Sequence, residues 1–261
     1  MHWESWKRAA ARVFLLSLSA AACAHADADA APSRPADARR AADGVEAPAE
    51  GAPPAQGPTS NLPRGRAIGE LSRDACLVLL SRHDVSVRPV DAGDAPGVEM
   101  PVLLEGPVDG VSIAHRGGSE RHSVIDCRLV VALLAWAPAL RAAGVVRIEH
   151  FSVYRPGARV SSTGQPSGHA AGLAIDAGIF VLSEDRAMHV EREWTDRRRD
   201  VAPCPPPDTQ EAEGQRLLRT LVCGAVDQDL FQIVVTPHRD AHHENHVHLE
   251  VRPGVSWSHV R

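Results

Sequence analysis

Two stretches of sequence decide how this chain is interpreted: Ser167-Gly168-His169-Ala170-Ala171-Gly172-Leu173-Ala174-Ile175-Asp176, and His242-His243-Glu244-Asn245-His246-Val247-His248. Zinc prefers imidazole nitrogens and carboxylate oxygens as ligands. Two histidines and one aspartate fill three corners of a tetrahedron and leave the fourth for water, as in catalytic zinc sites. We therefore predict that one zinc ion (Zn2+) is bound by His169, Asp176 and His248.

The patterns at both stretches predict extended structure. Residues 173–181 are apolar apart from Asp176, which indicates a buried strand, and residues 245–251 alternate in polarity. Because side chains two residues apart on a strand share a face, His246 and His248 are expected to project the same way. A buried carboxylate in an apolar run is costly without a cation partner, which favours the metal-site hypothesis over a chance cluster of histidines.

The rest of the folded region mixes helical and extended patterns of apolar residues. Helices are predicted at residues 71–83, 124–143 and 210–226, and further strands at residues 85–87, 98–104, 111–113, 145–154, 188–194 and 231–235. Pro138 is expected to kink or interrupt the second of these helices. The mixture predicts an α+β fold, in which helices pack on a small antiparallel sheet that carries the zinc site.

Length and composition indicate the size and class of the protein. The 261 residues are 44% hydrophobic, which is enough for one good-sized domain plus appendages. Only 4% are aromatic, so the core is expected to consist mainly of Val, Leu, Ile and Ala. The net charge of -5 gives no reason to expect a nucleic-acid partner, which usually requires a basic face.

The N-terminal segment has the pattern of an export signal. Basic residues precede a short apolar run at residues 13–18, which leads into small residues and is too short to span a bilayer. Two processing routes remain open: lipidation at Cys23, or cleavage at Ala24-His25-Ala26 to give a soluble protein. We expect a protein of the periplasm or cell envelope that contacts the membrane only through a lipid anchor at Cys23. A disordered Ala-rich start is the alternative.

Three regions follow from these patterns. Residues 1–26 are the predicted signal segment, and residues 27–67 are rich in Ala and Pro with almost no large apolar side chains. Such a segment cannot bury enough surface to offset its ordering entropy, so we expect a flexible linker. Residues 68–261 form the predicted folded domain.

Four cysteines lie in the body of the chain, and an exported protein is expected to pair them as disulfides. Three pairings are possible, and we favour Cys76–Cys127 with Cys204–Cys223, because each pair ties neighbouring predicted elements together. A zinc-cysteine site is the alternative, but these residues are far apart and no Cys-x-x-Cys pair is present.

The motifs resemble those of known families. Ser-x-His-x-x-Gly-x-Ala-x-Asp at residues 167–176, with a later His-x-His, resembles the zinc peptidase superfamily of lysostaphin, D-alanyl-D-alanine peptidases and hedgehog. The chain resembles bacterial extensin-like C-terminal domain proteins more closely over about residues 76–251. They share Asp126-Cys127-Arg128, Tyr154-Arg155, the Ser-x-His motif and the closing His-x-x-His-x-His-Leu segment.

The resemblance also implies roles for individual residues. It gives the same three zinc ligands and makes His246 the unligated histidine beside the metal-bound water. Arg155 would lie next to the substrate carbonyl, and His243 matches an outer histidine of penicillin-insensitive murein endopeptidases. The chain departs from the pattern in two places. A cysteine expected beside the Tyr-Arg pair is absent. Glu250 stands where an aspartate is common, so a carboxylate remains there that could hydrogen-bond to a metal ligand without binding the metal itself.

These residues lead to a functional hypothesis with alternatives. We expect an exported zinc metallopeptidase that acts on peptidoglycan peptides, as a D-Ala-D-Ala peptidase or a murein endopeptidase does. His246 would be the general base, Arg155 would stabilise the oxyanion or form an ordinary strand-end salt bridge, and His243 would orient His246 or be exposed. One alternative is a non-catalytic, zinc-containing module that binds cell-wall peptide or polysaccharide. Another is an iron oxygenase, although the usual His-x-Asp spacing is missing.

Overall fold

The computed structural model describes residues 61–183, 186–206 and 210–261. The predicted signal segment, with the proposed lipidation site Cys23, lies outside the described residues, as does the predicted linker up to residue 60. Within the described residues, no helix is long and apolar enough to cross a membrane.

The described residues form helices and strands in a mixed order, so the predicted α+β class is confirmed. The helices are α1 (Arg66–Gly69), α2 (Arg73–Arg82), α3 (Cys127–Ala142), α4 (Val190–Glu193) and α5 (Glu213–Asp227). The strands are β1 (Val87–Pro89), β2 (Pro101–Leu104), β3 (Ser112–His115), β4 (Ile125–Asp126), β5 (Val145–His150), β6 (Ala174–Leu182), β7 (Ala187–His189), β8 (Ile233–Val235), β9 (Val247–Glu250) and β10 (His259–Val260).

Among the described residues, the main sheet has seven strands. Six follow the order β10-β8-β9-β6-β5-β3, and β7 pairs with the end of β6. The central strands that carry the candidate site are antiparallel, as predicted, and the register places Asp176 on β6 opposite His248 on β9. The sheet is larger than expected and mixed, because β3 runs parallel to β5 and β10 runs parallel to β8. Strands β1, β2 and β4 form a separate antiparallel sheet.

Helices α2 and α3 begin near the residues that the sequence predicts. The side chain of Ser72 accepts a hydrogen bond from the backbone of Ala75 at the start of α2, and Asp126 caps α3 in the same way. Helix α3 continues through Pro138 to its last residue, so the expected interruption is wrong. Buried residues on either side, including Trp136 and Leu140, hold this part of the helix in the core.

The segment predicted as a strand at residues 188–194 is only partly extended. Strand β7 ends at His189, and the next four residues form the short helix α4. Alternating burial over so few residues fits one helical turn as well as a strand, and here Val190 and Trp194 are buried. The strand prediction for the second half of this segment is therefore wrong.

Strand β6 lies between the core and the candidate site. The register with β5 skips one residue at Gly178, so that both Ala177 and Phe180 lie in the hydrophobic core. A side chain at Gly178 would collide with the Phe151 ring, whose nearest atom is 2.6 Å from an added Cβ. Asp176 lies two residues before Gly178, between the core residues Ile175 and Ala177, and it faces the candidate site instead of the core.

Helix α3 is the centre of the core. Trp136 is fully buried, packs edge-on against Phe180 and Phe231, and donates its indole N–H to the carbonyl of Leu221 on α5. Most of the other buried residues are Val, Leu, Ile and Ala, as the composition predicts. This packing fixes the sheet between α3 and the candidate site.

Both predicted disulfides are present. Cys76–Cys127 joins α2 to the first residue of α3, and Cys204–Cys223 joins the loop before α5 to that helix. Each bridge restricts the unfolded chain and is worth about 3 kcal/mol of stability.

Candidate metal centre

Three side chains from distant parts of the sequence meet at one point. His169 lies in the 3-10 turn Gly168–Ala171, Asp176 lies on β6 and His248 lies on β9. The Nε2 atom of His169 is 3.0 Å from Asp176 Oδ1, and His248 Nδ1 is also 3.0 Å from that oxygen. The two nitrogens are 3.1 Å apart, and all three residues are buried. The structure thus brings the three predicted ligands together.

In each histidine, one ring nitrogen points towards the candidate metal position (the inner nitrogen) and the other points away from it (the outer nitrogen). The hydrogen bond of the outer nitrogen determines whether the inner nitrogen carries a proton or a lone pair. His169 Nδ1 lies 2.8 Å from the carbonyl oxygen of Val153, which can only accept a hydrogen bond, so this nitrogen carries the proton. His248 Nε2 lies 3.1 Å from a carboxylate oxygen of Glu250 and donates to it. In the neutral rings, the inner nitrogens therefore present lone pairs to each other and to Asp176.

Three acceptor atoms in mutual contact require a positive charge between them. Donor atoms about 2.0–2.1 Å from a tetrahedral ion lie roughly 3.3 Å from one another. This is close to the spacing of the ligand triangle, which is formed by the donor atoms of His169, Asp176 and His248. Within the described residues, His169, Asp176 and His248 are the one such group of His, Cys, Asp or Glu. The donor set and its geometry fit a divalent metal ion.

The charges of the metal-free site support the same conclusion. Burial raises the pKa of Asp176, but its close contacts with the imidazoles of His169, His246 and His248 hold that pKa well below its ordinary value. Burial lowers the pKa of His248, but hydrogen bonds to Asp176 and Glu250 outweigh this effect and raise it to about 9. A proton on His248 thus supplies the positive charge until a metal displaces it.

Two residues that follow β5 contact the second carboxylate oxygen of Asp176. The hydroxyl of Ser152 donates to Asp176 Oδ2 over 3.0 Å, and Arg155 Nη2 lies 3.7 Å from the same oxygen. The Arg155 side chain is 51% exposed, and its backbone N–H donates to the carbonyl of His169. Arg155 therefore lies beside the candidate metal position with its guanidinium partly free to reach a ligand.

His246, the residue before β9, lies next to Asp176, as its spacing from His248 predicts. Its Nε2 atom is 3.4 Å from Asp176 Oδ1, and its Nδ1 atom donates to the side-chain oxygen of Asn245 over 2.8 Å. The ring of Phe151 packs edge-on against it. His246 thus shares a face with His248 and stands at the edge of the site.

His243 lies next to the ring of His246. Its ring centroid is 5.2 Å from that of His246, but its Nδ1 atom donates to Asp240 over 2.8 Å. Burial lowers the pKa of His243. The residue is partly buried, so the expectation of simple exposure does not hold, and its hydrogen bond goes to Asp240 instead of His246. His238 lies elsewhere, where it accepts a hydrogen bond from Trp194.

Some supporting groups had no signal in the sequence. The carbonyl of Val153 is a backbone atom, and Ser152 is an ordinary hydroxyl at a strand end. Gly168 is required because a Cβ there would lie 2.5 Å from the carboxyl carbon of Glu250. Glu250 itself was accessible to sequence reasoning, because it alternates with His246 and His248 along one strand.

Comparison with known proteins identifies the family of the chain. Residues 74–260 match the family model described as Extensin-like protein C-terminus, which covers most of the chain. The chain belongs to the extensin-like family. No curated protein and no solved structure matched it. The resemblance to extensin-like proteins is thus confirmed, whereas the resemblance to the zinc peptidase superfamily stays a prediction.

The extensin-like domain has a cavity of about 530 Å³ directly over the candidate metal centre. His169, Asp176 and His248 lie in its wall, together with Arg155, His246 and His243. All six site residues predicted from the sequence therefore line one cavity. The wall also contains residues 159–163 and parts of β8 and β10.

Proposed function

We propose that this extensin-like protein is an exported zinc metallopeptidase that acts on peptidoglycan peptides. One observation carries the proposal: three lone pairs converge on one point at a cavity wall, with His246 and Arg155 beside them. A structural zinc site is usually closed by four protein ligands, whereas this one offers three.

The donor set favours zinc and a hydrolytic reaction. When bound by two imidazoles and one carboxylate, zinc keeps a position for water and lowers the pKa of that water to about 7. Ser152 and Arg155 hold the second oxygen of Asp176, while Val153 and Glu250 fix the two imidazoles, so the ligands are oriented before substrate arrives.

His246 is the proposed general base. Since its Nδ1 donates to Asn245, its Nε2 is the atom that accepts a proton, and this atom lies on the side of Asp176. The same nitrogen then delivers the proton to the leaving amine. General base and acid catalysis of this kind contributes about 10²–10⁴-fold to the rate.

Arg155 is the proposed electrostatic partner of the scissile carbonyl. Its guanidinium is half exposed, lines the cavity and lies 3.7 Å from Asp176 instead of in a close ion pair. A donor placed at a developing oxyanion is worth about 3 kcal/mol. His243 packs against the His246 ring and so limits its rotation.

The substrate class rests on the export signal and the peptidase resemblance. Disulfides persist in oxidising compartments such as the periplasm, and two are present in the described residues. In the cell envelope, peptide stems and cross-links of peptidoglycan are the peptide substrates within reach of such a protein.

Digestion of purified sacculi by the full chain tests this function. We expect released or shortened wall peptides by mass spectrometry, loss of release after chelation, and at least about 10²-fold slower release by His246→Ala. His242→Ala serves as the matched control, because His242 lines the same cavity without contacting Asp176. Release that survives chelation, or that His246→Ala supports at the wild-type rate, would contradict the mechanism. Retention of sacculi with zinc bound but without any cleavage would replace the peptidase by a wall-binding module.

A further inference from the structure

The cavity over the metal centre is basic, although the chain as a whole is acidic. Among the described residues, its wall contains five arginine side chains and three carboxylates, whereas the whole chain has a net charge of -5. The arginines are Arg155, Arg159, Arg239, Arg252 and Arg261, and the carboxylates are Asp176, Asp240 and Glu250. A cleft lined by one sign of charge concentrates ligands of the other sign.

Two of the arginines already serve the metal centre. Arg252 donates to Glu250 over 2.9 Å, and Arg155 lies 3.7 Å from Asp176. Their charges therefore offset the carboxylates that support or form the centre. A bound divalent metal would make the cavity still more positive.

Among the described residues, no carboxylate lies as close to Arg159 or Arg239. Arg159 donates over 2.7 Å to the neutral carbonyl of Gly164, so its charge is held in place but not offset. Arg239 lies 3.8 Å from Asp240, beyond hydrogen-bond distance. The other oxygen of Asp240 is occupied by the backbone N–H of His242 and by the His243 ring.

The two side chains come from separate segments that border the same cavity. Arg159 begins a tight hairpin in which Val160 donates to the carbonyl of Gln165 and accepts from the backbone of Gly164, each over 2.8 Å. Arg239 follows β8, in the turn that precedes the histidine-rich segment. Both are exposed, so their guanidinium groups are accessible to a ligand in the cavity.

We propose that this cavity selects ligands that carry a carboxylate, which Arg159 and Arg239 bind away from the reacting bond. The planar guanidinium fork matches a carboxylate and forms charge-assisted hydrogen bonds with it. The inference rests on the proposed function for its ligand class, a wall peptide, and specifies the group on that peptide by which it is recognised.

Retention of soluble wall peptides on the immobilised, zinc-loaded full chain tests the inference. The probes are peptides released from purified sacculi, either native or with their carboxylates converted to amides. Intact and shortened peptides are counted together, so retention is measured whether or not cleavage occurs. We expect the native peptides to be retained about tenfold better than the amidated ones, and Arg159→Gln with Arg239→Gln to remove most of this difference.

Arg147→Gln is the matched control, because Arg147 is an exposed arginine on β5 that pairs with Glu149 and does not line the cavity. It should retain native peptides like the wild type. The inference is overturned by equal retention of native and amidated peptides, by retention of neither, or by a preference that persists in the double variant with zinc still bound. Absence of cleavage with the preference intact would count against the peptidase alone. Cleavage without the preference would count against the carboxylate site alone.

Discussion

Within the described part of the chain, two histidine clusters have similar ring geometry but differ in chemistry. In the metal centre, the rings of His169 and His248 meet edge to face with centroids 4.9 Å apart. Near the edge of the main sheet, the rings of His115 and His150 meet in the same way at 5.5 Å, with His122 beside them. His115 and His150 lie in the wall of a separate cavity of about 390 Å³.

The outer hydrogen bonds distinguish the two clusters. Each ring of the metal centre donates outward, to Val153 or to Glu250, and keeps a lone pair for the centre. The ring of His115 does the reverse, because its Nδ1 atom accepts the backbone N–H groups of Gly117 and Ser119, both over 3.0 Å. Its Nε2 atom therefore carries the proton and is a donor, not a metal ligand. Proximity of histidines alone does not make a metal site.

Removal of the single negative charge in the triangle is expected to have the largest effect. Asp176→Asn leaves two neutral imidazoles and a weak amide ligand, so zinc affinity should fall by about 10²–10³-fold. This loss corresponds to the contribution of one ligand to the binding free energy of a typical zinc site. Competition with a chromophoric chelator measures this loss. Wild-type affinity in Asp176→Asn would mean that the metal is held elsewhere.

Acidification is expected to weaken metal binding at the first cluster. Because the pKa of His248 in the metal-free site is about 9, the metal must displace a proton at neutral pH. Zinc affinity should therefore fall about tenfold per unit as pH is lowered from 8 to 6, or about 100-fold in all. Titration at several pH values measures the slope. A flat profile over this range would contradict the contacts that raise this pKa.

The carboxylate behind His248 is expected to have a smaller effect than a ligand. Glu250→Gln keeps an acceptor for the imidazole but removes the charge, so zinc affinity should fall by about tenfold. Glu149→Gln, on β5 and separated from β9 by β6, is a control that should leave zinc affinity unchanged. A loss as large as that of Asp176→Asn would indicate that Glu250 is itself a ligand.

The second cluster is expected to affect stability and not metal binding. His115→Ala removes the acceptor of two backbone N–H groups, of which that of Gly117 is exposed to water and that of Ser119 is partly buried, so the loss costs about 1 kcal/mol of unfolding free energy. Zinc content should stay at the wild-type level. Chemical denaturation together with metal analysis checks both expectations, and a loss of zinc would show that the two clusters are coupled.

Local patterns explain why much of the fold and of the centre could be predicted. The helix start at Ser72 and the ligands on β6 and β9 follow from capping and from strand alternation, which depend on nearby residues. The parallel edges β3 and β10 and the partnership of His169 with the Val153 carbonyl depend on long-range packing. The same is true of Arg159 and Arg239, which border one cavity although 80 positions separate them in the sequence.

Zinc stoichiometry in paired histidine variants is the most direct test of the metal centre. Purified full chain is analysed for metal content as wild type, as His169→Ala and His248→Ala, and as His115→Ala and His150→Ala. We expect one zinc per chain in the wild type and in both variants of the second cluster, and almost none in either variant of the first. Full zinc in both His169→Ala and His248→Ala would contradict the assignment of these residues as ligands.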